Sequence, residues 1–138
     1  MKIYGNSVRV ILLSLLALVW SGCSEYPMDD DGLLITDREE CDMTSFDLLG
    51  SDHRTVFVKA PVIDNEALTV TGTVKYGTNL AKLKPRCGHS IDALITPKMG
   101  AWTDFSNLDA PLKYTVVSGN RQVRKTYSII LTVQAKPQ

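Results

Sequence analysis

Leu68-Thr69-Val70-Thr71-Gly72-Thr73-Val74 is the stretch whose reading decides the fold. Apolar and hydroxyl side chains alternate with period two, so Leu68, Val70 and Val74 share one face and Thr69, Thr71 and Thr73 the other. That alternation predicts a strand with one face buried. Gly72 interrupts the apolar face, which marks a bulge or a close approach of another part of the chain. Outward from this run, Tyr114-Thr115-Val116-Val117-Ser118 and Tyr127-Ser128-Ile129-Ile130-Leu131-Thr132-Val133 are equally rich in β-branched and aromatic residues. Ser118-Gly119-Asn120-Arg121 lies between them as a turn signal, so the two runs are expected to form a closing hairpin.

Shorter strands are expected over Met43 to Leu49, Thr55 to Val58, Arg86 to Ser90 and Ala93 to Thr96. Turn residues punctuate the gaps: Gly50-Ser51-Asp52, Asp64-Asn65, Tyr76-Gly77-Thr78-Asn79, Pro97 to Gly100 and Asn107 to Pro111. One helical turn is expected over Leu80 to Lys84, stopped by Pro85. No segment sustains a 3.6-residue period. The fold class is therefore all-β: an antiparallel β-sandwich of about seven strands over residues 41–138, near the size of one immunoglobulin-like unit.

The N-terminal part is a different object. Lys2 and Arg9 precede the apolar run Val10 to Trp20, which only Ser14 breaks. Its eleven residues fit the h-region of a secretory signal, about 7–15 long, and fall short of the roughly 20 that span a bilayer. Ser21-Gly22-Cys23 then resembles the lipobox of bacterial lipoproteins, with Trp20 where Leu is usual. Residues 1–22 are thus expected to be a lipoprotein signal peptide and Cys23 the lipidated residue, anchoring the chain to a membrane. Ordinary cleavage after Ser24 is the alternative. Residues 23–40 are expected to form an acidic flexible tether, and Asp29-Asp30-Asp31 within it resembles the surface-export signal of outer-membrane lipoproteins.

The 138 residues carry 15 basic and 15 acidic side chains, a formal net charge of zero. The balance hides a segregation. Residues 23–52 hold ten acids against Arg38, while residues 53–138 hold five acids against twelve bases. A neutral total removes the usual electrostatic argument for nucleic acid as a partner. The basic half suits an acidic ligand or an anionic surface, or is an ordinary solvated face.

Tyr76-Gly77-Thr78-Asn79-Leu80, Leu83-Lys84-Pro85, Thr96-Pro97, Asp104-Phe105-Ser106, Tyr114-Thr115-Val116, Ser118-Gly119-Asn120 and Lys125-Thr126-Tyr127 follow one another in an order that resembles a known module. It is a poorly characterised immunoglobulin-like domain family of surface lipoproteins from Gram-negative polysaccharide-degrading bacteria. The resemblance covers residues 41–134 and implies an immunoglobulin-like sandwich displayed at the outer membrane. It brings no catalytic residues. The motifs also have local tasks: Gly77 supplies a positive φ, Pro85 and Pro97 end local structure, and Asp104 and Ser106 bond nearby amides while Phe105 enters the core.

Candidate chemistry is sparse. With Cys23 taken as the anchor, Cys41 and Cys87 remain as a candidate disulfide or as two free thiols. No Cys-x-x-Cys or His-x₃-His spacing supports a metal, and no Gly-x-Ser-x-Gly elbow supports a nucleophile. Neither an enzyme nor a cofactor is expected. Candidate ligand contacts are Trp102, in an expected loop, and Arg121, Arg124 and Lys125, in the final hairpin; Lys82, Lys84 and Arg86 form a second basic cluster near Pro85. Trp102 either plugs the core or offers a stacking face to a sugar or a partner. Basic clusters that converge could read uronate or sulfate groups. The expected function is a lipid-anchored outer-membrane lipoprotein, facing the cell surface, that serves as a non-catalytic binding or spacer module in glycan capture. The alternative is an assembly module docking another surface lipoprotein.

Overall fold

The computed structural model describes residues 27–138. The expected signal peptide, residues 1–22, and the expected lipidation site, Cys23, lie outside the described residues. The chain divides into two units, the second of which is Leu34–Gln138. Of the first, residues 27–33 are described: Asp29 Oδ1 accepts the N–H groups of Asp31 at 3.0 Å and Leu33 at 2.8 Å, an Asx turn closed by Gly32.

The second unit is all-β among the described residues. Its strands are β1 (Met43–Leu49), β2 (Val62–Asp64), β3 (Thr69–Val74), β4 (Lys84–His89), β5 (Leu94–Thr96), β6 (Lys113–Val117) and β7 (Arg124–Val133). β1 and β4 form one antiparallel sheet, and the order β2-β3-β7-β6-β5 forms the other. The expected strand over residues 68–74 is β3, with Val70 and Val74 fully buried. The expected hairpin is β6–β7, in which Tyr114 pairs with Tyr127. One pairing departs from an all-antiparallel sandwich, because β3 and β7 run parallel. The 49 residues between them supply β4 to the other sheet and β5 and β6 to this one, the long crossover that a parallel pair requires.

Gly72 marks a close approach. A Cβ there would overlap the ring of Phe57 and lie 3.1 Å from Pro61 Cβ. The ring belongs to residues 55–58, expected as a strand and observed as an extended arm. Val56 N–H donates to Leu48 O of β1, whereas Val58 N–H donates to Thr73 O of β3. The arm passes from one sheet to the other, so neither ladder continues long enough to make a strand. β2 is too short to announce itself, and it runs directly into the expected turn at Asp64. There Asp64 Oδ1 accepts the N–H groups of Glu66 and Ala67, both at 2.9 Å.

Two further expectations change. Residues 80–84 make a turn rather than a helical one, and Lys84 already belongs to β4. Pro85 does not end structure; it lies inside β4, buried and paired with Leu48. β4 has β1 as its one ladder partner, and a strand with an open edge is where a missing N–H is tolerated. In β1, a register shift between Met43 and Ser45 lets Met43 and Phe46 both face the core although they lie three residues apart.

Residues 34–40, expected to belong to the tether, lie within the second unit. Thr36 N–H donates to Gly119 O, Asn120 N–H donates to Arg38 O, and Arg38 pairs with Asp92 at 3.2 Å. This cover buries the hairpin end, including Val117, Ser118 and Gly119. Cys41 and Cys87 are free thiols. Cys87 stands opposite Phe46, whereas Cys41 lies five residues before Phe46, about 16 Å of strand away. A disulfide needs Cα atoms within about 7 Å. Cys41 Sγ instead donates to Val116 O at 3.0 Å.

Candidate ligand-binding site

Leu83 and Thr103 form an isolated antiparallel bridge, with N–H to O distances of 3.0 and 2.7 Å. Leu83 points into the core at 1% exposure. Period two then sends Lys82 and Lys84, and across the bridge Trp102 and Asp104, to the outside. Trp102 is 40% exposed. The ammonium groups of Lys82 and Lys84 lie 5.1 and 4.8 Å from its ring centroid, and the ring of His53 lies 6.0 Å away. Such contacts are worth only about 0.5–1 kcal/mol each at an exposed position. A carboxylate or sulfate accepting a hydrogen bond from an ammonium gains about 1.5–3 kcal/mol. Among the described residues, neither lysine has a carboxylate within 4.0 Å.

The loop beneath Trp102 is fixed from both sides. Gly100 N–H donates to Pro85 O, and Phe105 N–H donates to Leu80 O while its ring enters the core. Asp104 Oδ1 accepts the Ser106 N–H at 2.8 Å and its hydroxyl at 2.5 Å. The Ser106 hydroxyl first, and its N–H second, hold the Asp104 carboxyl below its ordinary range. Asp104 is therefore committed to shaping the loop.

Trp102 is thus an outward-facing side chain with a stacking edge, not a core plug. The hairpin cations do not join it. Arg121 Nη1 donates to Ser118 O and Gly119 O, and its Nη2 donates to Leu34 O at 3.2 Å, which pins residue 34 to the hairpin end. Lys125 Nζ donates to Asp42 Oδ1 at 2.6 Å, a bond that raises the lysine pKa. Arg124 is exposed on the outer face of β7. Cys41 contacts the hairpin end through Val116 O and Val123 O, while Leu49 at the far end of β1 pairs with Lys84. The whole length of β1 and the two residues before it, about 20 Å or more of chain, separate these places. The hairpin cations and Trp102 lie at opposite ends of the sandwich.

Lys82 and Lys84 were read as a second basic cluster but not joined to Trp102, and His53 was left out of the site. The signal for the lysines was present: they flank Leu83 at alternate positions, as Trp102 and Asp104 flank Thr103. Nothing in the sequence announces the bridge that joins the two runs, nor the loop that brings His53 alongside. A separate open groove of about 610 Å³ runs between β1, β4 and the crossing arm, over Phe46, Phe57 and Pro61. Its one carboxylate, Asp47, is engaged by the Thr55 hydroxyl at 2.6 Å and by Arg86 at 3.4 Å. Among the described residues, no three His, Cys, Asp or Glu side chains are grouped as a metal site.

The family described as "SGBP, N-terminal" matches residues 44–131. No curated protein matches the sequence. Among solved structures, a Bacteroides thetaiotaomicron protein described as a candidate glycoside hydrolase is similar with a TM-score of 0.59 and 26% identity, over 71% of this chain. The chain spans only 26% of that protein's length. A candidate secreted protein from Bacteroides fragilis is similar over 70% of this chain and 98% of its own, with a TM-score of 0.53 and 16% identity. A DUF4623 family protein from Bacteroides eggerthii matches with a TM-score of 0.50 and 12% identity over 70% of this chain and 22% of its own. The two at lower identity share the fold.

Proposed function

The chain belongs to the SGBP N-terminal family, a family of glycan-binding proteins, and from that premise we propose that it is a non-catalytic surface module that contacts glycan through Trp102. The observation that carries the reading is an indole held in the open on a loop bonded to Pro85 and Leu80, where burial in the core was the alternative. An aromatic face is a stacking surface for the C–H side of a sugar ring. The signal-like residues 1–22 and Cys23 supply the anchor in this reading, placing the domain at the outer membrane with its sandwich facing outward. That a similar fold makes up about a quarter of a candidate glycoside hydrolase suits an accessory role beside other glycan-handling parts.

Binding of the full chain, in non-ionic detergent, to a panel of neutral and acidic polysaccharides tests this. Retention on at least one, weakened by Trp102→Ala, supports it. Silence across the panel overturns it. Incorporation of labelled fatty acid in the wild type and its loss in Cys23→Ala tests the anchor separately.

One observation favours an assembly role instead. Val62, Thr71 and Ile130 stand in one row across the outer face of the larger sheet. Val62 and Ile130 are both exposed, Val62 at 65%, and β2 is an edge strand. Two exposed apolar side chains flanking Thr71 beside an open edge are suited to pairing with another chain. A stoichiometric protein partner co-purifying from membranes and lost in Val62→Lys would favour this reading.

A further inference from the structure

Resting on the glycan reading, we infer that the Trp102 site selects acidic glycans, with Lys82 and Lys84 as the groups that read a uronate carboxylate or a sulfate ester. Two ammonium groups lie within about 5 Å of one indole ring. Like charges so placed repel, and the described residues give neither a carboxylate partner. The quadrupole of the ring is what holds them, and it is a weaker partner than an anion. An incoming carboxylate or sulfate relieves the repulsion and replaces the ring contact with charge-assisted hydrogen bonds. As the ammoniums turn towards the anion, indole surface is released for the sugar ring.

The acidic side chains nearby do not pair with the lysines. Asp104, on the same outer face, is committed to Ser106. Asp52, beside His53, accepts the Arg54 N–H. The folded unit as a whole, residues 34–138, carries 13 basic against 11 acidic side chains, so the attraction for an anion is local to the two lysines. The lysine stems are flexible and their ammoniums are point charges, so the site suits one anionic group on a ring more than a planar, bidentate fork. Carboxylate and sulfate share that chemistry.

Binding isotherms of the full chain, in non-ionic detergent, on biosensors coated with polygalacturonate, dextran sulfate or unmodified dextran separate the outcomes. The expected result is binding to one or both charged polymers at least about tenfold tighter than to dextran, the size of one charge-assisted hydrogen bond. Preference for polygalacturonate assigns a carboxylate, and preference for dextran sulfate assigns a sulfate. Equal strength on both assigns the charge alone. The double variant Lys82→Ala/Lys84→Ala should lose about tenfold or more on the charged polymers, while Arg124→Ala, at the other end of the sandwich, should lose nothing. Circular dichroism confirms that each variant is folded.

Dextran bound as tightly as the charged polymers overturns the inference and leaves the glycan reading standing. Absence of binding to all three, together with silence across the wider panel, removes both. A loss in Arg124→Ala equal to that in the lysine variant means diffuse attraction, and the inference falls. Single-stranded DNA captured as tightly as dextran sulfate, with the same dependence on the lysines, also overturns it in favour of polyanion capture without a sugar.

Discussion

Cys41 is a thiol that the fold uses as a core atom. It is 3% exposed, and its Sγ donates to the carbonyl of Val116. Burial first of all pushes its pKa up, against the lowering effect of Lys125. A free thiol titrates near about 8.5. A group whose folded pKa is raised stabilises the fold fully below its unfolded value, and that contribution fades as pH rises through the folded one. The urea midpoint should therefore fall between about pH 8 and pH 10, and fall less in Cys41→Ala. In peptide mapping after iodoacetamide treatment, Cys41 should label far more slowly in the native chain than in urea. Labelling at the same rate in both would refute its placement.

At the scale of elements, the crossing arm and β3 depend on each other. β3 contributes a smooth spot at Gly72, and the arm lays the Phe57 ring over it, edge-on to Phe46 with centroids 6.3 Å apart. A methyl group at Gly72 has no room. Gly72→Ala should cost about 1–3 kcal/mol, the usual price of overpacking, measured by urea denaturation. Phe57→Leu in the same chain should recover part of the loss, because the two sites share one contact. β7 is fastened differently. Met43 N–H donates to the Tyr127 hydroxyl at 3.2 Å, and that hydroxyl donates to Asn65 Oδ1 at 2.5 Å. One buried side chain thereby ties β7 to the start of β1 and to the loop after β2.

At the scale of the whole molecule, the second unit begins before the sandwich does. Residues 34–40 cover the hairpin end through Thr36, Arg38 and the carbonyl of Leu34. A chain starting at residue 41 should melt at a lower temperature than one starting at residue 34, since Ser118 and Gly119 would meet solvent. Equal melting temperatures would show the cover to be idle. The Arg38–Asp92 pair by itself should add little, both side chains being largely solvated.

Strand identity was legible wherever a run was long enough to show its period. Residues 68–74 alternate, and Val70 and Val74 are buried on the face the alternation names, while residues 114–118 and 127–133 were legible from their β-branched and aromatic content. Residues 43–49 were expected only as a shorter strand, and the bulge at Met43 breaks their period. Val62–Asp64 was not legible, since three residues carry no period, and residues 55–58 misled because extended backbone is not yet a ladder. At the site, Trp102 and the basic cluster near Pro85 were both readable as features. Their meeting was not, since it rests on one bridge between residues 20 apart in sequence. By itself the sequence determined the class of fold, the inward and outward faces of residues 68–74, and the segregation of charge, because these depend on local alternation and composition. Tertiary structure alone decided that β3 joins β7 in parallel, that Cys41 and Cys87 stand apart, and that Lys82 and Lys84 gather at Trp102 while Arg121 and Lys125 are spent on the hairpin end. Each of these is a pairing between distant parts of the chain, and strand register, which no local pattern encodes, sets which side chains meet.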